Sequence, residues 1–177
     1  MRVFPAELTD LNSCYQMNAS YSTDYVWQMQ TRQAERRTDV RFDTVRLPRS
    51  MQVEYPRSMD ELVDHWNLDA CFLVVRNGDD EIIGFVDAQP QLEQGLLWVF
   101  NLVVDKNFRQ QGIGALLLKS ARQWAMQHQL NKLMLEVQTK NHPAISFAQK
   151  HGFRFCGFNE RYYPNGDIAL FFYQLIH

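Results

Sequence analysis

A glycine-containing turn between a strand pattern and a helix pattern is the feature that most limits how this chain can fold. The segment 96–104 is rich in β-branched and aromatic side chains, which is typical of a strand. Downstream, apolar residues recur at helical spacing, namely Ile113, Leu116, Leu117, Ala121, Trp124 and Ala125. The turn between them reads Phe108-Arg109-Gln110-Gln111-Gly112-Ile113-Gly114. A strand that runs through such a turn into a helix predicts a mixed α/β fold.

The start of this helix is a candidate anion site. Its first backbone N–H groups have no intrahelical acceptor and lie at the positive end of the helix dipole. Glycines at 112 and 114 would allow a phosphate to approach the main chain closely. The chain lacks a P-loop motif, and Leu117 stands where a dinucleotide fingerprint requires a third glycine. The remaining pattern, Arg-x-x-Gly-x-Gly, predicts a phosphorylated ligand; the alternative is an ordinary strand–helix turn.

Composition narrows the class of protein. The chain has 177 residues, which fits one domain over 1–177, and 46% of them are hydrophobic. A formal net charge of −2 argues against a nucleic-acid partner. There is neither an apolar run long enough to span a membrane nor the core of a signal peptide. The 3 cysteines are widely spaced and the histidines lack ligand spacing, so we expect a cytoplasmic, metal-free protein.

The remaining patterns give the order of elements. Strands are predicted at Arg2–Phe4, 71–76, 81–89, 96–104, 132–137, 154–158 and 168–176. Helices are predicted near 9–18, 58–67 and 143–151 and over the apolar positions from 113 to 125. Asn77-Gly78 predicts a hairpin, whereas the helix before residue 132 predicts a parallel pairing. The arginine-rich stretch 32–57 alternates enough to suggest one or two exposed strands, with a solvated face favoured over an anion patch. We therefore expect a mixed, mostly antiparallel sheet of about seven strands with about four helices.

Four motifs between residues 101 and 153 occur in one order and resemble the Gcn5-related N-acetyltransferase (GNAT) superfamily. They are Asn101-Leu102-Val103-Val104-Asp105 with the glycine turn, Leu133-Met134-Leu135-Glu136-Val137-Gln138, Asn141-x-x-Ala144-x-x-Phe147, and Lys150-His151-Gly152-Phe153. The segments 133–136 and 167–173 are also similar to the streptothricin acetyltransferase branch. The resemblance implies that the central parallel strands splay apart.

The resemblance also implies acetyl-CoA as cosubstrate and assigns residues to it. The turn would hold the pyrophosphate through Arg109, Gln110, Gln111, Gly112, Ile113, Gly114 and Ala115. Leu102, Val103 and Val104 would pair with the pantetheine arm as an added strand and polarise the thioester carbonyl. Asn141 either bonds the pantetheine arm or caps the following helix, and both roles are compatible.

Glu136 is the candidate base for an amine that must lose a proton before it attacks, with Asp87 and Glu160 in reserve. The alternative is a carboxylate that only caps the split strand or attracts a cationic substrate. Members of the family commonly carry an acid tyrosine where this chain has Ala148. Because the pKa of an ordinary thiol is only about 8.5, the CoA thiolate could leave unaided. Otherwise the acid is Tyr162 or Tyr163, with Tyr25 and Cys156 as further candidates.

The acceptor would be a primary amine, either on a small molecule of the aminoglycoside or streptothricin type or at a peptide N-terminus. Tyr25, Trp27 and Glu160 are the candidate acceptor contacts, since aromatic rings and a carboxylate attract a cation; core packing is the alternative for the aromatic residues. The chain would act in a ternary complex, as a monomer or a homodimer. A catalytically silent acyl-CoA-binding regulatory domain is the alternative function, which the alanine at 148 keeps open.

Overall fold

The computed structural model describes residues 1–66 and 70–176. The strands are β1 (Arg2–Pro5), β2 (Tyr21–Ala34), β3 (Arg37–Val53), β4 (Cys71–Arg76), β5 (Ile82–Gln91), β6 (Leu96–Val104), β7 (Lys132–Gln138), β8 (Arg154–Asn159) and β9 (Ala169–Leu175). The α-helices are α1 (Leu11–Tyr15), α2 (Leu62–His65), α3 (Ile113–Gln127) and α4 (His142–Lys150). No helix in these ranges is both long and apolar enough to cross a bilayer.

Seven strands form a mixed sheet in the order β1-β4-β5-β6-β7-β9-β8, and β2 and β3 form a separate hairpin. Within the large sheet β6 and β7 are parallel, and the other neighbouring strands are antiparallel. The predicted fold is therefore confirmed. The parallel pair follows from the connection through α3, because a helix crossover returns the chain to the same end of the sheet.

Both faces of the sheet carry an apolar layer. Helices α3 and α4 cover one face with Ile113, Leu117, Leu118, Ala121, Ala125, Ile145 and Ala148, which belong to the larger core cluster. On the other face a smaller cluster joins Leu11 of α1 and Leu62 of α2 to Phe72 and Phe85 of the sheet. The glycine turn that precedes α3 is thereby held against the ends of β5 and β6.

The parallel strands separate soon after they pair. Pairing runs from Leu96 with Lys132 to Val99 with Leu135 and stops there. On its other side β6 has a β-bulge: Ala88 of β5 pairs with Val99 and Asp87 with Asn101, so Phe100 is the extra residue. A bulge bends its strand and increases the local twist. β6 thus turns away from β7 at the residue where the pairing ends.

The hairpin of β2 and β3 is much longer than the sequence suggested, with strands of 14 and 17 residues. Apolar and polar residues alternate only weakly along these strands, because most of the outer half of the hairpin is exposed on both faces. The Arg37–Asp39 ion pair is 2.7 Å long and the Arg41–Asp43 pair 2.9 Å, as expected for a solvated charged face. The inner half joins the end of β7, where the Tyr21 hydroxyl donates to Gln138 Oε1 at 2.7 Å.

Gly84 provides the first prediction. A Cβ at this position of β5 would lie 3.0 Å from the Val103 carbonyl oxygen and 3.1 Å from Ile113 Cγ2, at the start of α3. Gly84→Ala should lower the free energy of unfolding by about 1–3 kcal/mol through overpacking. Gly78→Ala is the matched control, since no atom lies within 4 Å of its Cβ position. Urea unfolding of both variants gives the comparison, and equal stability would contradict the close approach.

Candidate active site at the split between β6 and β7

A cavity of about 850 Å³ lies where the two strands separate. One part of its wall consists of the glycine turn, the start of α3 and α4, with Gly112, Gly114 and Phe147. The other part includes Arg57, Phe100, Glu136 and Tyr163. A single cavity therefore connects the predicted phosphate turn to the candidate base.

The glycine turn has the backbone geometry of an anion site. Gly112 is the N-cap of α3 with φ 83°, a left-handed conformation that disfavours other residues. A Cβ there would meet no atom within 4 Å, so the space beside this glycine is open. Helix geometry leaves the amides of Ile113, Gly114 and Ala115 without intrahelical acceptors. These amides are donors for a phosphate at the cavity wall.

Arg109 has a structural role in this turn. Its guanidinium donates to three carbonyl oxygens, those of Val104 at 3.0 Å, Ser20 at 2.8 Å and Asn18 at 3.1 Å. These bonds join the end of β6 to the segment that enters the hairpin. Burial lowers the pKa of Arg109 from its usual value, but a guanidinium remains charged at neutral pH. The arginine fixes the turn and also adds positive charge to the cavity wall.

Asn141 performs the capping role that the sequence suggested. Its Oδ1 accepts from the Ala144 amide at 3.1 Å at the start of α4. The residue also lines the cavity, and its Nδ2 is a second polar group there. At the other end of this helix Gly152 has φ 81°, which permits the Phe153 amide to reach the Ala148 carbonyl at 3.0 Å.

Glu136 is the first residue of β7 beyond the paired region, and its side chain is 0% exposed. Its Oε1 accepts from Arg57 Nη2 at 2.5 Å. Its Oε2 accepts from the Tyr162 hydroxyl at 2.9 Å and from Trp98 Nε1 at 3.3 Å. Burial lowers the pKa of Arg57, but the Glu136 carboxylate outweighs burial and the net pKa is raised. Both oxygens of the candidate base thus have donors, and one donor is a cation.

The two candidate acid tyrosines lie beside this carboxylate. Tyr163 is buried and lines the cavity, and burial, followed by the nearby Glu136 charge, raises the pKa of its hydroxyl. The same causes raise the pKa of Tyr162. Ala148, in contrast, is packed in the hydrophobic core. Of the groups considered for the acid, these tyrosines are the ones that the structure brings to Glu136.

The remaining predicted site residues are divided between the cavity lining and positions outside it. Of the residues whose positions the structure gives, Gln111, Tyr25, Trp27, Tyr162 and Glu160 are outside its lining, whereas Leu102, Val103, Val104, Gln110, Ile113 and Ala115 are part of it. Trp27 packs against Phe42, Phe155 and Phe172 at ring distances of 5.8–6.0 Å, as the core-packing alternative predicts. The Tyr25 ring lies 5.2 Å from that of His142 on α4.

Sequence reasoning missed Arg57 and a buried polar network beside it. In that network Tyr55 donates to Asn101 Oδ1 at 2.8 Å, and Asn101 Nδ2 donates to Asp87 Oδ2 at 2.7 Å. The same Asp87 oxygen lies 2.6 Å from His65 Nδ1. Asp87 is fully buried, and its Oδ1 has no hydrogen-bond partner among the described residues. The paired positions of Asp87 and Asn101 flank the bulge, so this network holds its shape.

The family profile described as "Acetyltransferase (GNAT) family" matches residues 23–153, about three quarters of the chain. The chain belongs to the GNAT acetyltransferase family. Streptothricin acetyltransferase A of Bacillus subtilis (strain 168) is 34% identical over 83 residues, 45% of this chain and 48% of that protein. The [ribosomal protein bS18]-alanine N-acetyltransferase of Salmonella typhimurium is 31% identical over 89 residues, 50% of this chain and 59% of that protein. The chain thus spans about half the length of these curated relatives.

A solved GNAT-type structure extends the likeness to nearly the whole fold. A Bacillus anthracis str. Ames protein, determined in complex with acetyl coenzyme A, superposes with a TM-score of 0.78 and 22% identity. The match covers 99% of this chain and 99% of that one. At this identity the likeness concerns the arrangement of the elements, including those outside the matched profile.

The His65–Asp87 pair yields a prediction about pH. The hydrogen bond to Asp87 is the main cause that raises the pKa of His65 above its usual 6.5. The contribution of the charged His65–Asp87 pair to the free energy of unfolding is therefore fully present below pH 6.5. It is lost as the pH rises through the raised pKa of His65. Urea unfolding of wild type and His65→Gln from about pH 5 to about pH 9 should show a stability difference that shrinks with pH. A difference for His65→Gln that grows as the pH rises would mean that Asp87 does not stabilise the charged imidazole.

Proposed function

We propose that this chain transfers an acetyl group from acetyl-CoA to a primary amine by direct attack in a ternary complex. The observation that carries this proposal is the single cavity that joins the glycine turn to Glu136 across the strand split. The family membership supports acetyl transfer as the reaction. The proposal covers the chain as one N-acetyltransferase domain over 1–177.

Acetyl-CoA fits the part of the cavity that faces α3 and α4. The pyrophosphate would accept hydrogen bonds from the amides around 111–115, and Arg109 would add positive charge nearby. Beyond Val99 the β7 side of β6 is unpaired in the described sheet, which exposes main-chain groups of 102–104. The pantetheine arm would pair with these groups as an added strand, and Asn141 would bond it through its side chain.

The chemical step needs one group to receive a proton and one to assist the leaving sulfur. The amine nitrogen attacks the thioester carbonyl carbon, the C–N bond forms, and the C–S bond breaks to release the CoA thiolate. Glu136 would take the first proton of the ammonium before the attack, directly or through a water molecule. The second N–H proton, released as the amide forms, would pass to water or to the group that protonated the sulfur. Tyr163, which lines the cavity, or Tyr162, which bonds Glu136, would donate to the departing sulfur. Their raised pKa values keep both hydroxyls protonated and able to donate.

The acceptor is proposed to be a small-molecule amine or a peptide N-terminus. The name of one sequence relative, a streptothricin acetyltransferase, supports a small-molecule acceptor. The name of the other, a ribosomal-protein alanine N-acetyltransferase, supports a peptide acceptor. Tyr25 and Glu160 remain proposed acceptor contacts at the outer edge of the site, and the packing of Trp27 limits it to a supporting role. The free cysteines Cys14, Cys71 and Cys156 support a cytoplasmic setting.

The regulatory alternative differs from turnover in a measurable way. A silent acyl-CoA-binding domain would bind acetyl-CoA and release no CoA with any amine. The buried carboxylate and two tyrosine hydroxyls at the split favour turnover, since a binding domain has no need of a charged group at the thioester end of the cavity. A screen of primary amines for CoA release separates the two functions.

The phosphate assignment predicts the effect of a charge at Gly112. Gly112→Asp places a carboxylate in the open space beside the turn and strains a left-handed backbone. Calorimetry should show at least about a tenfold loss of acetyl-CoA affinity, because the new charge repels the phosphates. Gly166→Asp is the matched control: it also has a left-handed φ of 81° and open space, but it lies outside the cavity lining. Unchanged affinity in Gly112→Asp would refute the assignment.

The base assignment predicts a separate effect on turnover. Glu136→Gln should lower kcat by roughly 10²–10⁴, the usual scale for a general base, while acetyl-CoA affinity stays intact. Glu93→Gln is the control, since Glu93 is exposed and lies outside the cavity lining. It should retain most activity. An unchanged rate in Glu136→Gln across about pH 6 to about pH 9 would make Glu136 structural.

A further inference from the structure

Arg57 occupies a cation site inside the cavity. Its Nη2 lies 2.5 Å from Glu136 Oε1, and its guanidinium carbon lies 5.0 Å from the centre of the Phe100 ring. Its Nη1 lies 3.5 Å from Glu61 at the outer side. A buried carboxylate combined with the face of an aromatic ring is an arrangement that binds a guanidinium or an ammonium ion. The side chain of Arg57 is only 13% exposed, so it fills this site.

The proposed chemistry requires an acceptor to reach Glu136, whose side chain is 0% exposed, so one of its donors has to leave. Oε1 accepts from Arg57, and Oε2 accepts from Tyr162 and Trp98. A second cation brought to Glu136 beside Arg57 would meet like-charge repulsion in a buried site. Exchange of Arg57 for another cation, in contrast, leaves the net charge of the site unchanged. An ammonium group therefore reaches the carboxylate at the lowest cost by replacing the guanidinium.

The backbone around Arg57 permits this exchange. The residue lies in the irregular segment 54–58, after β3 ends at Val53 and before a short 3-10 helix begins at Met59. The sheet does not depend on this segment for strand pairing. Glu61 is half exposed and already lies 3.5 Å from Arg57, so it offers the released guanidinium an anionic partner.

We propose that Arg57 occupies the position of the acceptor's ammonium group and leaves it when the acceptor binds. Arg57 is thus a specificity-determining residue: it admits amines that are cations in solution and excludes neutral amines, such as aryl amines, which cannot replace its charge. The role of Arg57 in selecting acceptors rests on the proposed acetyl transfer, whereas the cation site itself can be tested by binding alone.

The test measures binding of methylguanidinium chloride, in the absence of acetyl-CoA, by calorimetry. In wild type the probe can bind only to those molecules in which Arg57 has left the site, and this lowers its apparent affinity. Removal of the arginine side chain should leave the site open in every molecule. Arg57→Ala should bind the probe at least about tenfold more tightly than wild type. Arg57→Lys, which returns a cation to the site, should stay close to wild type.

Arg37→Ala is the control, because Arg37 pairs with Asp39 at 2.7 Å on the exposed hairpin, where both side chains are largely in solvent and outside the cavity. It should gain no affinity for the probe. If Arg57→Ala folds poorly, methylguanidinium should raise its melting temperature and not that of Arg37→Ala. Arg57→Gln provides a second neutral variant with the same expected gain. No gain in either neutral variant overturns the proposal.

A parallel assay separates this inference from acetyl transfer itself. With acetyl-CoA present, Arg57→Ala should lower the KM of a cationic alkylamine, because the acceptor no longer has to displace a guanidinium from Glu136. If no amine is acetylated but the probe binds as expected, acetyl transfer fails and the cation site stands. If alkylamines are acetylated while wild type and the neutral variants bind methylguanidinium equally, acetyl transfer stands and the role of Arg57 fails.

Discussion

The site depends on one constraint, the loss of pairing between the parallel strands after Val99 and Leu135. Main-chain groups inside a sheet are normally bonded on both sides, and a buried unpaired group costs free energy. Here the bulge at Phe100 turns β6 away, so the unpaired groups face a cavity rather than a packed core. The same split makes Glu136, the first residue beyond the pairing with β6, part of the cavity wall. An edge for an extended ligand and a carboxylate beside it arise from a single break in the sheet.

The break persists because the surrounding structure holds each strand from a different side. Asp87 and Asn101 join β5 to β6 next to the bulge through a buried hydrogen bond of 2.7 Å. Gln138 at the end of β7 accepts from Tyr21 of the hairpin and donates to Asp167 at 2.8 Å. Each side of the split thus has its own polar anchor. A ligand that binds between the strands need not pay the cost of separating them, which is a form of preorganisation.

Much of this arrangement follows from local sequence, and the part that does not depends on long-range contacts. The strand at 96–104, the glycine turn and the capping of α4 by Asn141 were predictable, because spacing and local hydrogen bonding determine them within a few residues. The length of the hairpin was underestimated, because strands exposed on both faces need no alternation of apolar and polar residues. The Arg57–Glu136 pair joins residues 79 positions apart, and its arginine was indistinguishable from the other arginines of the stretch 32–57. Only the chain topology brings it to the cavity.

The buried ion pair is informative because a buried pair is an expensive way to stabilise a fold. Desolvation of two charges can exceed their attraction, and an apolar pair of similar volume is often as stable. In this chain the carboxylate has 0% exposure, and Arg57, which lines the cavity, shields its charge in place of water. A charge that needs a cation beside it will hold whichever cation fits best. The resident arginine and an incoming ammonium then compete for one carboxylate. In the proposed recognition step, the acceptor binds by replacing one cation with another at Glu136.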